Sequence, residues 1–467
     1  MTGQCGQEAQ KTAQCGQAAV HKDQNAQNIQ NLQNKGMGVY LHIPFCVSRC
    51  RYCDFNTYSG MEQHQKEYFE AMTAEIRAFF RAYGAGNGSG CDHNHNHNHN
   101  EDHNHNHIET VFFGGGTPSC VDSAFVSGLL RELDGGGSAE YRECTIEINP
   151  GTLTPDKLEA YKRSGINRLS FGLQSTQDHH LSALGRIHRY GEYEKNVRMA
   201  QKLGFENIST DLIFGLPNQT LPEWKQTLET VVAGGVKHLS CYSLSLEEGT
   251  PLHADVRDGI LPAPDEDTDR EMYGFTLDYL KSVGLEQYEL SNFAVPGFEC
   301  LHNLKYWTGA PYIGFGAGAH SYYGGKRFSN HLSIPEYIRS VTGVQEMGNA
   351  NAQDGVVSPD NGGHCLFGVK RAELAVIDEH EREKEHIILH LRLNGGISTE
   401  AFRREFHHEF IQTYSDILER LSAEGLLNTV RGKPPRNGTE AAGNNVVSIK
   451  LSKKGMDLAN RVLTEFI

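Results

Sequence analysis

Tyr40-Leu41-His42-Ile43-Pro44-Phe45-Cys46-Val47-Ser48-Arg49-Cys50-Arg51-Tyr52-Cys53 is the stretch on which the fold turns. The apolar run Val39 to Ile43 reads as a strand, and three cysteines at CxxxCxxC spacing follow it on one short loop. Three thiolates so close together can wrap one face of a 4Fe-4S cluster and leave one iron without a protein ligand. Structural zinc is the competing assignment. It asks for four closed ligands, usually in paired CxxC knuckles, and no second pair follows downstream.

Beyond this loop, short β-branched or aromatic runs alternate with helical patterns. The runs are Val39 to Ile43, Glu109 to Phe113, Thr145 to Asn149, Arg168 to Leu173, Ser209 to Phe214 and Leu239 to Leu244, with a further strand expected near Gln287 to Leu290. Between them Phe69, Met72, Ile76 and Phe80 recur at helical spacing, and Thr154-Pro155 reads as an N-cap and first helical position. This alternation implies βαβ units and a parallel sheet, with function collecting where strands end and loops begin. The class is α/β.

Residues 1–36 are rich in Gln, Asn and Ala and are expected to be a disordered tail. The main unit is expected over 37–342, interrupted at 84–107 by a polar insertion that ends in an Asn-His alternation. Neutral imidazoles at alternate positions could take up nickel, zinc or stray heme, but an insertion without a role is the simpler expectation. The stretch 343–383 reads as a peripheral polar insertion, and 432–445 as another loop. From 384 to 467 the order helix, helix, helix, strand, strand, helix resembles a small winged-helix domain. A net charge of −15 with no basic recognition helix speaks for a structural or docking module and against nucleic acid as partner. No run of about 20 apolar residues exists, and the N-terminus lacks the order of a secretory signal, so a cytoplasmic protein without an integral membrane segment is expected. Eleven cysteines, an odd number with three crowded together, read as reduced thiols.

The cysteine spacing, with an aromatic residue before Cys53, resembles the radical S-adenosylmethionine (SAM) superfamily from Val39 to about His320. The resemblance implies a partial parallel (β/α)6 barrel in which Cys46, Cys50 and Cys53 hold a 4Fe-4S cluster. The open iron would bind SAM, whose cleavage yields methionine and a 5′-deoxyadenosyl radical. Gly114-Gly115-Gly116-Thr117-Pro118 matches the glycine motif that lies along the methionine part of SAM. Glycines suit it because main-chain amides must approach the ligand closely. Glu147, Gln174, Arg186 and Asp211 fall where related proteins place SAM contacts, and Tyr40 and Ser245 match further contact positions.

Within the superfamily the chain resembles proteins related to oxygen-independent coproporphyrinogen III oxidase. The echoes are Tyr-Leu-His-Ile-Pro-Phe-Cys, Gly-Gly-Gly-Thr-Pro-Ser, Ile-Glu-Ile-Asn-Pro and Asp211-Leu-Ile-Phe-Gly-Leu-Pro217. Two branches compete, the oxidase and the heme chaperone that hands heme to a client protein. The oxidase pattern carries a fourth cysteine where this chain has Phe55, and His302-Asn303-Leu304-Lys305-Tyr306-Trp307 matches the HNxxYW motif of the chaperone branch. Imidazole is a common axial ligand of heme iron, and Tyr306 and Trp307 offer flat apolar surface for a porphyrin. Cys300 is the rival iron ligand. The resemblance thus implies heme, a heme-accepting client and a reductant such as flavodoxin or ferredoxin as partners. The oxidase, and a radical SAM enzyme acting on another tetrapyrrole, are the alternatives.

Overall fold

The computed structural model describes residues 36–85, 108–135, 140–346, 356–357, 364–432 and 446–467. The expectations for the N-terminal tail, the Asn-His tract and most of 432–445 fall outside them.

All six expected strands form: β1 (Met37–Ile43), β2 (Ile108–Gly115), β3 (Glu143–Ile148), β4 (Arg168–Gln174), β5 (Asn207–Phe214) and β6 (His238–Ser243). They pair in parallel, each with the next. The helices that cross between them are α1 (Gln65–Ala85), α2 (Ser123–Leu133), α3 (Pro155–Arg163), α4 (Asp178–Ala183), α5 (Tyr190–Lys202) and α6 (Leu221–Ala233). Local signals set their ends. The Thr154 hydroxyl accepts from Lys157 N at the start of α3, and Thr220 and Glu223 form a reciprocal capping box on α6.

After β6 come α7 (Pro251–Arg257), α8 (Glu266–Ser282), β7 (Glu286–Gln287), β8 (Asn292–Ala294), α9 (Leu301–Trp307), β9 (Tyr312–Phe315), β10 (His320–Tyr323), β11 (Lys326–Ser329) and α10 (Ile334–Glu346). The expected strand near Gln287 to Leu290 is instead the antiparallel pair β7 and β8, joined to β6 through β8. The large sheet runs β15-β11-β10-β9-β1-β2-β3-β4-β5-β6-β8-β7, where β15 is Glu373–Val376. Its two ends do not pair, so the parallel strands form a partial barrel.

The stretch 343–383 is not the peripheral loop that its composition suggests. Besides β12 (Val356–Val357), it holds β13 (His364–Leu366) and β14 (Val369–Arg371), and β15 extends the main sheet. Leu366, Val369 and Arg371 are buried. Arg371 pairs with Glu75 of α1, which also accepts from Gly316 N, Tyr337 Oη and Asn330 Nδ2. A charge this deep persists because every acceptor lone pair has a donor.

Strand alternation divides the barrel into two environments. Val39, Leu41 and Ile43 of β1 and Val111 and Phe113 of β2 point to the helices and form the apolar core. The alternate positions line the interior and are mostly polar. One tier is Glu147, Ser170, Ser209 and His238, and the next is Gly172, Asp211, Ser240 and Asn292, in register.

The C-terminal residues form a separate unit of 303–310 with 382–467. Its helices are α11 (Glu379–Arg392), α12 (Thr399–Phe406), α13 (Phe410–Thr413), α14 (Ser415–Ala423), α15 (Lys453–Asp457) and α16 (Ala459–Leu463). The strands β16 (Ile397–Ser398), β17 (Leu427–Arg431) and β18 (Val446–Leu451) make a small antiparallel sheet in the order β16-β18-β17. Helix, strand, helices and a two-stranded hairpin is the winged-helix order, as the sequence suggests.

Candidate functional site

The residues singled out in the sequence gather mainly at the C-terminal ends of β1 to β5. The cysteine loop leaves β1 and is held down by its neighbours. Gly116 N donates to Ile43 O and Thr117 N to Phe45 O, each at 2.9 Å, so the glycine loop after β2 is zipped along it. This close approach explains the glycines. A Cβ on Gly116 would sit 2.8 Å from Phe45 O, and one on Gly115, whose φ is +114°, 2.6 Å from the His42 ring.

Each cysteine has a polar neighbour suited to a thiolate. Cys46 Sγ lies 3.4 Å from the Thr117 hydroxyl and Cys53 Sγ 4.0 Å from that of Thr57. Arg186 Nη1 donates to Cys50 Sγ at 3.4 Å. Burial pushes the Cys46 and Cys53 thiols up, partly offset by these hydroxyls, so metal binding rather than the protein alone must draw off their protons.

Behind the loop stand two carboxyl groups. Glu147 accepts from Gly115 N at 3.1 Å, and Asp211 accepts from Ser170. Burial, then the charge of Asp211, push Glu147 up to about 8, while the Gly115 amide and Arg168 pull the other way. Burial also raises Asp211, against the hydroxyls of Ser240 and Ser170. Two carboxyls so placed, with Arg168 acting on both, form an acidic pair suited to hydrogen-bond donors of a ligand. Gln174 sits at a bulge opposite β5 with φ 74°, a backbone strain that aims its amide toward Gly172 and Arg186. Arg186 donates to Gly172 O, and its Nε is enclosed without a hydrogen-bond partner. Tyr40 donates to His42 Nδ1 at 3.0 Å, leaving His42 Nε2 to donate to Asn56 O at 2.9 Å. Burial lowers His42 to about 4, which keeps that relay neutral. Ser245 stands apart: it lies beyond β6, exposed, with its hydroxyl given to Glu247.

A cluster and SAM fit this arrangement. Three sulfurs have donors aimed at them, a glycine cradle is shaped so that side chains would fill it, and an arginine and two carboxyls lie beyond, complementary to the carboxylate and ammonium ends of an amino acid.

His302 lies at the other end of the barrel. Its ring is buried, stacked on Phe112 at 5.2 Å between centroids, and its Nδ1 is 2.9 Å from the Thr110 hydroxyl near the start of β2. Glu143, the first residue of β3, accepts from Leu301 N at 2.9 Å, His302 N at 3.0 Å and Cys300 Sγ at 3.5 Å, so it caps α9. Glu143, which holds the start of the helix carrying His302, was not singled out in the sequence. It lies two alternations before Glu147, on the same inner face, which was the available signal. Asn303, Tyr306 and Trp307 group with the C-terminal unit, where the Arg392 guanidinium lies 4.8 Å over the Trp307 ring. Trp307 Nε1 and Arg392 Nε are both enclosed without a hydrogen-bond partner.

Comparison with known proteins follows the same lines. The Radical SAM superfamily is matched over residues 99–231. The heme chaperone HemW of Bacillus subtilis (strain 168) is 30% identical over 430 residues, covering 92% of this chain and 98% of its own length. HemW of Synechocystis is 38% identical over 359 residues, covering 74% and 82%. The solved structure of coproporphyrinogen III oxidase HemN from Escherichia coli superposes with a TM-score of 0.69 at 20% identity, covering 94% of this chain and 92% of that one. That likeness establishes the shared fold, and the identity across almost the whole length establishes more: the chain belongs to the HemW family of heme chaperones within the radical SAM superfamily.

Proposed function

We propose that the chain is a cytoplasmic heme chaperone that holds heme, passes it to a client protein and carries a 4Fe-4S cluster on Cys46, Cys50 and Cys53 with SAM beside it. The similarity to Bacillus subtilis HemW over nearly the full length of both chains carries this reading. A bound cluster and SAM supply one-electron chemistry driven by a reductant of the flavodoxin or ferredoxin kind. This chain's residues would do the holding: the glycine loop would take the methionine moiety, Arg186 its carboxylate, and Glu147 and Asp211 the ammonium and ribose hydroxyls.

Phe55 supports the chaperone over the oxidase. It occupies the position of the oxidase branch's fourth cysteine and is 65% exposed, an apolar side chain at the mouth of the loop where that branch has a thiol. On the C-terminal unit, Trp307 gives a porphyrin a flat face, and Arg392 beside it offers a donor for a propionate. His302 and Cys300, engaged with Thr110, Phe112 and Glu143, act by placing α9. Exchange of His302 for alanine is therefore expected to weaken heme binding several-fold with iron content unchanged. An unchanged affinity removes this residue from the site.

The test of the reading is a heme titration of the anaerobically reconstituted protein, in parallel with a supply of coproporphyrinogen III, SAM and reductant. Saturable heme binding without protoporphyrinogen is expected. Repeated turnover would replace the chaperone with the oxidase.

The carboxyl pair gives a pH prediction. Glu147 is raised from 4.5 to about 8, so the native state holds its proton over a range where the unfolded chain has lost it. Its contribution to stability is therefore complete below pH 4.5 and is lost as pH rises through about 8. Glu147→Gln keeps an acceptor for Gly115 N but cannot ionise. In the ligand-free protein the melting temperature of this variant relative to the parent should rise from pH 5 to pH 8.5 by roughly several degrees. A difference that stays flat with pH would refute the assignment. The same variant should bind SAM at least about tenfold more weakly, since it cannot offer an ionised partner to the ammonium.

A further inference from the structure

A second group of metal-binding side chains lies outside the barrel, unrelated to the cysteine loop. His179 and His180 of α4 face Glu223 at the start of α6. His179 Nε2 is 3.2 Å from Glu223 Oε1, and His180 Nε2 is 3.5 Å from Oε2. One donor atom from each of the three residues lies within 4.8 Å of the other two. Around a zinc ion, nitrogen and oxygen ligands at about 2.0 Å in tetrahedral array stand about 3.3 Å apart; each imidazole nitrogen already lies near that distance from one of the two carboxylate oxygens, and small side-chain rotations bring three donor atoms within 4.8 Å of one another to a common ion.

Independent support comes from His180. Its side chain is only 3% exposed, yet its Nε2, aimed at the carboxylate, has no hydrogen-bond partner. The Glu223 carboxylate is held in place by the Thr220 amide and hydroxyl, which donate to its Oε2 at 2.9 and 2.8 Å. An enclosed imidazole nitrogen that faces a carboxylate without a hydrogen bond is well served by a cation between them.

We propose that His179, His180 and Glu223 form a binding site for a divalent transition metal ion of the zinc class, with the fourth position left to water because His179 is 65% exposed. The ion joins α4 to α6. These helices are already stitched by Gln177 Nε2 to Glu223 O at 3.2 Å and by Thr176 to Thr227 at 3.0 Å. The segment so clamped runs from Gln174 to Arg186, and Arg186 touches Cys50. The ion is thus a structural fastener behind one wall of the cofactor site, separate from the cluster in both ligands and place.

The test uses cluster-loaded full-length protein, and the same protein with residues 91–107 removed to lower the imidazole background. Each is titrated with zinc ion, freed of loose metal by gel filtration, and assayed for retained zinc and for melting temperature. Retention of one zinc per chain after removal of the tract is expected, with a zinc-dependent rise in melting temperature. His179→Ala and His180→Asn should lose that equivalent or bind it at least tenfold more weakly, and lose the thermal rise. His179→Ala alters an exposed ring and should melt like the parent without zinc, so it keeps the test decisive if the second variant folds poorly. Equal retention and equal thermal response in parent and variants, or no zinc retained once the tract is gone, would overturn the site.

Discussion

Replacement of Cys46, Cys50 and Cys53 by alanine together is expected to abolish the brown absorbance of the anaerobically reconstituted protein and to reduce bound iron from about four per chain to near zero. The expectation rests on the company these sulfurs keep. Cys46 is buried beneath the glycine loop with Thr117 beside it, Cys53 has Thr57, and Cys50 has Arg186. The other described cysteines are differently placed. Cys144 and Cys241 are buried in the core, where burial drives their thiols well above the usual range, and Cys120 is pushed up to about 12. None of these three stands on the short loop that groups Cys46, Cys50 and Cys53, so none can take the place of a lost ligand. The triple variant should keep its fold, because the loop backbone is pinned by main-chain bonds: Cys46 N to Tyr58 O at 2.8 Å and Thr117 N to Phe45 O at 2.9 Å. Iron and sulfide analysis with circular dichroism separates these effects. Survival of the colour in a folded variant would refute the cluster assignment.

The largest effect on stability is expected at the buried ion pair of Arg371 and Glu75. Arg371→Met should destabilise the protein by about 3–5 kcal/mol, the usual cost of removing one partner of a fully enclosed ion pair. Glu75 would remain with Gly316 N, Tyr337 and Asn330 as donors but without a counter-charge, in a place where its side chain is 0% exposed. The substitution also removes a guanidinium stacked 5.0 Å from the Phe328 ring. Urea unfolding monitored by tryptophan fluorescence measures the change. A loss below about 1 kcal/mol would show that Glu75 is satisfied by its neutral donors.

Arg371 also marks the limit of what could be seen before the fold was known. The six parallel strands and the C-terminal hairpin were legible because each is long enough to carry its pattern, and because Thr154-Pro155 punctuates a helix start between them. Strands β13 to β15 have three or four residues each, too few to show an alternation, and they sit in a stretch rich in polar residues. Their pairing partners are remote in the chain, and composition does not record them. The candidate cofactor residues were legible for a related reason. The cysteines and the glycine run come at the ends of recognisable strands, and Glu147 and Asp211 lie on two others, so strand order alone brings them to one sheet. The bulge that turns Gln174 to φ 74° left no local mark. Nor did the partners of His302, whose ring meets Thr110 and Phe112 from nearly two hundred residues away.

The position of β1 in the sheet has a consequence for synthesis. It carries the cysteine loop and is the first described strand of the chain, yet it lies between β2 and β9, with Gly38 to Leu41 paired to Tyr312 to Phe315. On the ribosome this strand therefore waits with one edge open until β9 emerges, roughly tens of seconds at ordinary elongation rates. Contacts so distant along the chain also slow the closing step itself. Through that interval the three thiols sit on an unfinished support, reachable by oxidants and stray metals. A cluster on these thiols would therefore be loaded after translation, on a finished chain, and expression that outpaces the supply of iron and sulfide is expected to yield colourless protein.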